Sequence, residues 1–151
     1  YWRMVKAEAV DGQPVTADIF VLSYIAADWW DAWCPDDTYP LQFAQDLKDL
    51  GEVDEIHLRI NSMGGDVFSA YTISSMLRNH SAKVIAHIDG VAASAATVLA
   101  LASANEVRMP SNASFLIHLP SFAREAWLTP AISHRSFFFI SRSISNFHSF
   151  L

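Results

Sequence analysis

The chain has few groups that would announce a cofactor or a nucleic-acid partner. Of 151 residues only Cys34 is a cysteine, so an internal disulfide is excluded, and no CxxC or Cys/His cluster points to zinc. Basic residues are scarce, ten Lys and Arg against sixteen Asp and Glu, for a formal charge of −6. That balance disfavours nucleic acid or an anionic membrane as the main partner. There is no apolar run of eighteen residues and no signal peptide, which leads us to expect a soluble protein in a reducing, cytoplasmic setting. No GK[ST] follows the one double glycine, which excludes a P-loop, and the spacing is not that of a dinucleotide fingerprint. The first residue is Tyr1 rather than methionine, as expected of a fragment or processed form.

A dense apolar content is present instead. Hydrophobic residues make up 52% and charged residues 17%, a folded composition long enough for one domain with a real core. ADIFVLSYIA (17–26) reads as a buried strand and DWWDAWCPDDTYP (28–40) as a loop. Thr38 is placed to cap a helix entered at Pro40, with Leu41, Ala44, Leu47 and Leu50 on one face and Gly51 ending it. EIHLRIN (55–61) alternates in strand period, and DVFSAYTISSMLRNH (66–80) keeps helical spacing through Val67, Ala70, Ile73 and Leu77. KVIAHID (83–89) predicts a strand, VAASAATVLALAS (91–103) a small-residue helix, and EVRMP (106–110) and SFLIHLP (114–120) two short strands. Repeated strand–helix units predict an α/β fold with a mainly parallel sheet. Ligands in such folds lie at the carboxyl ends of strands, which singles out Asn61–Asp66 and Asp89–Ser94.

Beyond residue 120 the character changes. Residues 1–118 hold fifteen Asp and Glu, whereas 119–151 hold only Glu125, three arginines and six of the ten phenylalanines. Residues 1–120 are therefore expected to form the domain, and 121–151 an aberrant, frameshifted or poorly ordered tail.

Ser94 lies in GVAASAATVLAL, at what reads as the first turn of a helix. There the amide of Ala95 is unpaired and can face developing negative charge, and the surrounding alanines leave room for a polypeptide. A hydroxyl needs a base and oxyanion donors to act as a nucleophile. Taken alone, a serine among alanines is more often a packing residue. The glycines of NSMGGD (61–66) allow positive φ and leave backbone uncovered, which by itself is a weak signal. Among the six histidines, His57 and His87 alternate with apolar residues in strands, His80 ends a helix, and His134 and His148 lie in the tail. His118 closes the strand FLIH before a proline, where a scaffold presents a side chain at a sheet edge.

INSMGGDVFSAYTISSML, DGVAASAATVLALA and MPSNASFLIHLP, in that order, resemble the Clp protease proteolytic subunit family, ClpP. Gly65 precedes Ser94 by 29 residues and His118 follows Ser94 by 24, close to that family's arrangement. FAQDLKDLGEVDEIHLRINS and the pair Trp29–Trp30 are nearer the ClpP-like head maturation proteases of phages and prophages.

The resemblance, over residues 17–120, implies a ClpP/crotonase fold of stacked ββα units. It implies Ser94 as nucleophile, His118 as general base and the Gly65 and Ala95 amides as oxyanion hole. It also implies polypeptide substrates, no metal or organic cofactor, a homo-oligomeric ring and, for ClpP itself, an ATP-driven unfoldase. The family's third catalytic residue is an aspartate after a long helix, but no aspartate follows Asp89 here, and Met63 stands where ClpP has proline. Two other readings remain: a catalytically impaired relative of the same fold, and a crotonase-type enzyme acting on acyl-CoA thioesters.

Overall fold

The structure is a computed structural model and describes residues 2–7, 10–32 and 37–119, together with the backbone of 137–140. In chain order the elements are β1 (Trp2–Lys6), β2 (Thr16–Val21), α1 (Pro40–Leu50), β3 (Glu55–Ser62), α2 (Val67–Asn79), β4 (Lys83–Ala93), α3 (Ala95–Ser103), β5 (Glu106–Arg108), β6 (Ser114–His118) and β7 (Phe137–Ile140). They build one sheet of order β1-β2-β3-β4-β6-β7, with β5 also paired to β4. β2 through β6 pair in parallel, and β1 and β7 close the edges antiparallel. The parallel strands are joined through helices, as the alternating sequence pattern predicts.

Strand alternation becomes a core through the register. Three rungs run across β2, β3 and β4: Ala17–Ile56–Val84, Ile19–Leu58–Ala86 and Val21–Ile60–Ile88. All nine residues are buried. Against them pack Phe43 and Leu50 of α1, Ala70, Ile73 and Leu77 of α2, and Ala96, Leu99 and Ala100 of α3. Each large side chain in this layer contributes about 1.5–3 kcal/mol by leaving water. The opposite sheet face is polar: His57 Nδ1 and His87 Nε2 lie 3.0 Å apart, and Arg59 Nε donates to Asp89 at 2.8 Å.

Several local expectations are corrected. The first strand stops at Val21, and Ile25 instead makes isolated bridges to Thr38 and Gly65. Tyr39, not Thr38, is the N-cap of α1, without a side-chain cap bond. Thr38 is 1% exposed, and its backbone pairs with Tyr24 and Ala26. The buried face of α1 runs Phe43–Leu47–Leu50, whereas Leu41 is 78% exposed, because Phe43 takes the core position of the first turn. β4 runs on through Val91–Ala93, so α3 starts four residues later than the alanine pattern predicts. The reason is tertiary: the end of β4 pairs with β6, and the ladder holds it extended. β1 carries no signal strong enough to be read from sequence and is held by pairing to β2. Most of the tail predicted for 121–151 lies outside the described residues, apart from the β7 backbone paired to β6.

Candidate active site

The site forms where β3 and β4 end. β3 gives way to Met63–Gly64–Gly65 and then to α2, whose N-cap Asp66 accepts from the Ser69 amide at 2.7 Å. Gly64 and Gly65 hold φ of 96° and 146°, a region that favours glycine. A Cβ on Gly64 would stand 2.5 Å from the Ala93 carbonyl oxygen and 2.9 Å from Ser94 Cβ, so the glycine turn lies directly against the end of β4. Ile25 receives Asp66 N–H at 2.7 Å and donates to Gly64 O at 2.9 Å, the two residues flanking Gly65. In such a parallel bridge the Gly65 amide points to the opposite side, free of that ladder. Ser62 pins the arrangement: its hydroxyl donates to Ser23 O at 2.5 Å and accepts from Gly64 N at 3.0 Å.

Ser94 is not in the first helical turn but is the N-cap of α3, at φ 53° and ψ −124°. It is the one non-glycine residue with positive φ among the described residues. An L-residue in that conformation is strained by about 1–3 kcal/mol and persists only where its surroundings over-determine it. Here Ser94 N–H donates to Leu116 O at 3.0 Å, and Thr97 returns both its amide, at 2.9 Å, and its hydroxyl, at 2.6 Å, to Ser94 O. The result is a sharp strand-to-helix turn that lifts the serine side chain off the end of β4. Of the alanines next to Ser94, Ala95 lines the open space beside it. Ala92, Ala93, Ala95 and Ala96 are themselves buried, and Gly64 abuts the backbone of Ala93 and Ala95.

His118 reaches the same place through register. Ala93 pairs with Leu116, so Ser94 lies one residue and His118 two residues beyond a shared rung, on strands spaced about 4.8 Å apart. His118 Nδ1 lies 2.7 Å from the Leu119 carbonyl oxygen. A carbonyl only accepts, so Nδ1 is the donor in that bond.

Gly65, Ser94, Ala95 and His118 all line one cleft of about 750 Å³. Its remaining walls come from residues with no motif to mark them: Tyr24, Asp28 and Asp31 from the loop after β2, Phe68 and Tyr71 from α2, and Ile117 from β6. Only the exposed aromatics of the α2 register hint at such a wall in the sequence. The other described histidines lie elsewhere, and His134 and His148 lie outside the described residues. His57 and His87 face each other on the polar sheet face, and His80 caps α2, accepting from Ala82 N at 3.1 Å. Among the described residues no group of three or more His, Cys, Asp or Glu is arranged to hold a metal, and no helix is long and apolar enough to cross a membrane.

A family model described as Clp protease matches residues 43–129, more than half of the chain. The chain belongs to the Clp protease family. The match takes in the glycine turn, Ser94 and His118 together, and extends past residue 120. Among solved structures the fold is similar to a point mutant of ClpP1 from Listeria monocytogenes, with a TM-score of 0.54 and 23% identity over 68% of this chain. The matched part spans 56% of that protein's length. At that identity the likeness shows the fold, a ClpP-type α/β sheet. No curated protein matches the chain.

Proposed function

We propose that this chain is a serine-type endopeptidase subunit in which Ser94 is the nucleophile and His118 the general base. Ser94 Oγ attacks the carbonyl carbon of a peptide bond while its proton passes to His118 Nε2. The tetrahedral oxyanion is held by the N–H groups of Gly65 and Ala95, a donor pair freed by the glycine turn and by the start of α3. Collapse breaks the C–N bond, His118 returns the proton to the leaving amine, and water then hydrolyses the acyl-enzyme by the same route. The observation that carries this reading is the forced positive φ of Ser94, within one cleft with Gly65 and His118. Strain at a serine on a strand-to-helix turn is the mark of a nucleophile held out for attack.

The Leu119 carbonyl orients the imidazole but brings no full negative charge. The second reading is a catalytically impaired relative of the same fold. Assembly into a ring acting on polypeptide is a further part of the proposal, supported by family membership; an ATP-driven unfoldase, a cytoplasmic location and a place in phage head maturation are parts of it that rest on the sequence resemblance and composition alone.

A fluorophosphonate probe tests the central claim. Covalent labelling is expected on Ser94, mapped by peptide mass analysis, and is expected to disappear in Ser94→Ala. It should fall by orders of magnitude in His118→Ala. Labelling at another serine, or none with intact folding, would favour the inactive relative.

A further inference from the structure

We infer that Tyr24 is a positioning residue for the oxyanion hole: its ring closes the Cα side of Gly65 and keeps the Gly64–Gly65 peptide unit from turning over. The inference rests on the peptidase reading and adds to it a residue that no motif marks. By composition this unit is the loosest part of the proposed machinery. Both residues lack a Cβ and hold φ of 96° and 146°, so nothing of their own prevents the unit from rotating. Its plane is set by neighbours. Gly64 O accepts from Ile25 N–H at 2.9 Å, and within one trans peptide the Gly65 N–H then points away from Ile25. A unit turned over would meet an oxyanion with the Gly64 carbonyl instead of the Gly65 N–H.

Tyr24 supplies the second restraint. A Cβ on Gly65 would stand 2.8 Å from Tyr24 Cε2, so the edge of the ring occupies the space a side chain there would take. The same ring lines the cleft with Gly65, Ser94 and His118. Its root is fixed. Tyr24 O accepts from Thr38 N–H at 3.0 Å, Ala26 N–H donates to Thr38 O at 2.8 Å, and Ile25 O accepts from Asp66 N–H at 2.7 Å. A tyrosine has only two side-chain torsions to fix, so a ring held at its root makes a stiff wall. The wall also brings no charge. Burial first, then Asp31, Asp66 and Asp37, push the hydroxyl above its usual range, so it keeps its proton beside a developing oxyanion.

Fluorophosphonate labelling of Ser94 reads the hole, because the phosphoryl oxygen takes the place of the oxyanion. Two probes are compared on the full chain, one small and one carrying a peptide. In Tyr24→Ala the labelling rate at saturating probe is expected to fall at least about tenfold with both, short of the roughly hundredfold or more for losing a donor outright. The probe concentration at half-saturation should change by less than about twofold. Tyr24→Phe, which restores the ring, should recover the native rate. Thermal unfolding is followed in parallel, and Tyr24→Leu is read in the same way should Tyr24→Ala fail to fold. A native rate without the ring, a loss confined to the peptide probe, or a loss that Tyr24→Phe does not recover would overturn the inference while leaving the nucleophile intact. No labelling of Ser94 in the native chain would overturn the peptidase reading and this inference with it.

Discussion

The two sides of the cleft are built differently. On one side, the ends of β3 and β4 are locked into each other: Gly64 abuts Ser94, Gly90 lies against the Asn61 side chain, and Asn61 Oδ1 accepts from Val91 N–H at 3.1 Å. On the other side, the loop bearing Asp28, Trp29, Trp30 and Asp31 is exposed and held by short-range bonds within itself. Ser94 thus lies on strand ends that cannot shift without cost, while the loop walling the cleft opposite lies where change is cheap.

Substitutions can break that contrast, beginning with the largest effect. Gly64→Ala would push a methyl group into the Ala93 carbonyl and Ser94, at a positive φ, and should cost about 3 kcal/mol in chemical unfolding. It should also abolish probe labelling even where the fold survives. Asp66→Ala removes the cap of α2 at the Ser69 amide and should cost about 1 kcal/mol in the same assay.

His87 sharpens the comparison by acting on β4 well away from the cleft. Burial first, then Arg59, His57 and Arg108, hold its imidazole below the usual 6.5, against the pull of Asp89. As pH falls through 6.5 the unfolded chain takes up this proton before the folded one, so stability declines toward acid and is recovered above that window. His87→Gln should make stability less dependent on pH there, as read from unfolding midpoints at pH 7.5 and about 5.5. Trp30→Ala, on the loop and 77% exposed, should change stability by no more than about 0.5 kcal/mol. A larger loss would mean that the loop is as deeply built into the fold as the strand ends.

Much of this is legible in the sequence. The alternation of EIHLRIN appears as buried Ile56, Leu58 and Ile60, and the helical spacing of α2 as buried Ala70, Ile73 and Leu77. The glycine turn, the serine and the histidine are readable as segments because each has a local signature. The errors fall where a distant partner decided the outcome. Thr38 looks like a cap but is drawn into the bridge with Ile25. Residues 91–93 look helical but are claimed by β6. Leu41 looks like core but faces water.

Period, turn chemistry and the order and spacing of the three motifs belong to the sequence itself, because each depends on residues within a turn or two of chain. Tertiary structure alone decided the twisted backbone of Ser94, the approach of His118 Nδ1 to the Leu119 carbonyl and the meeting of Asp28 and Asp31 with the cleft. These depend on which strands lie side by side and in what register, as with Ala93 against Leu116 and Ile25 against Gly65. Such pairings are chosen by burial of the whole layer at once, and no short stretch of sequence contains that information.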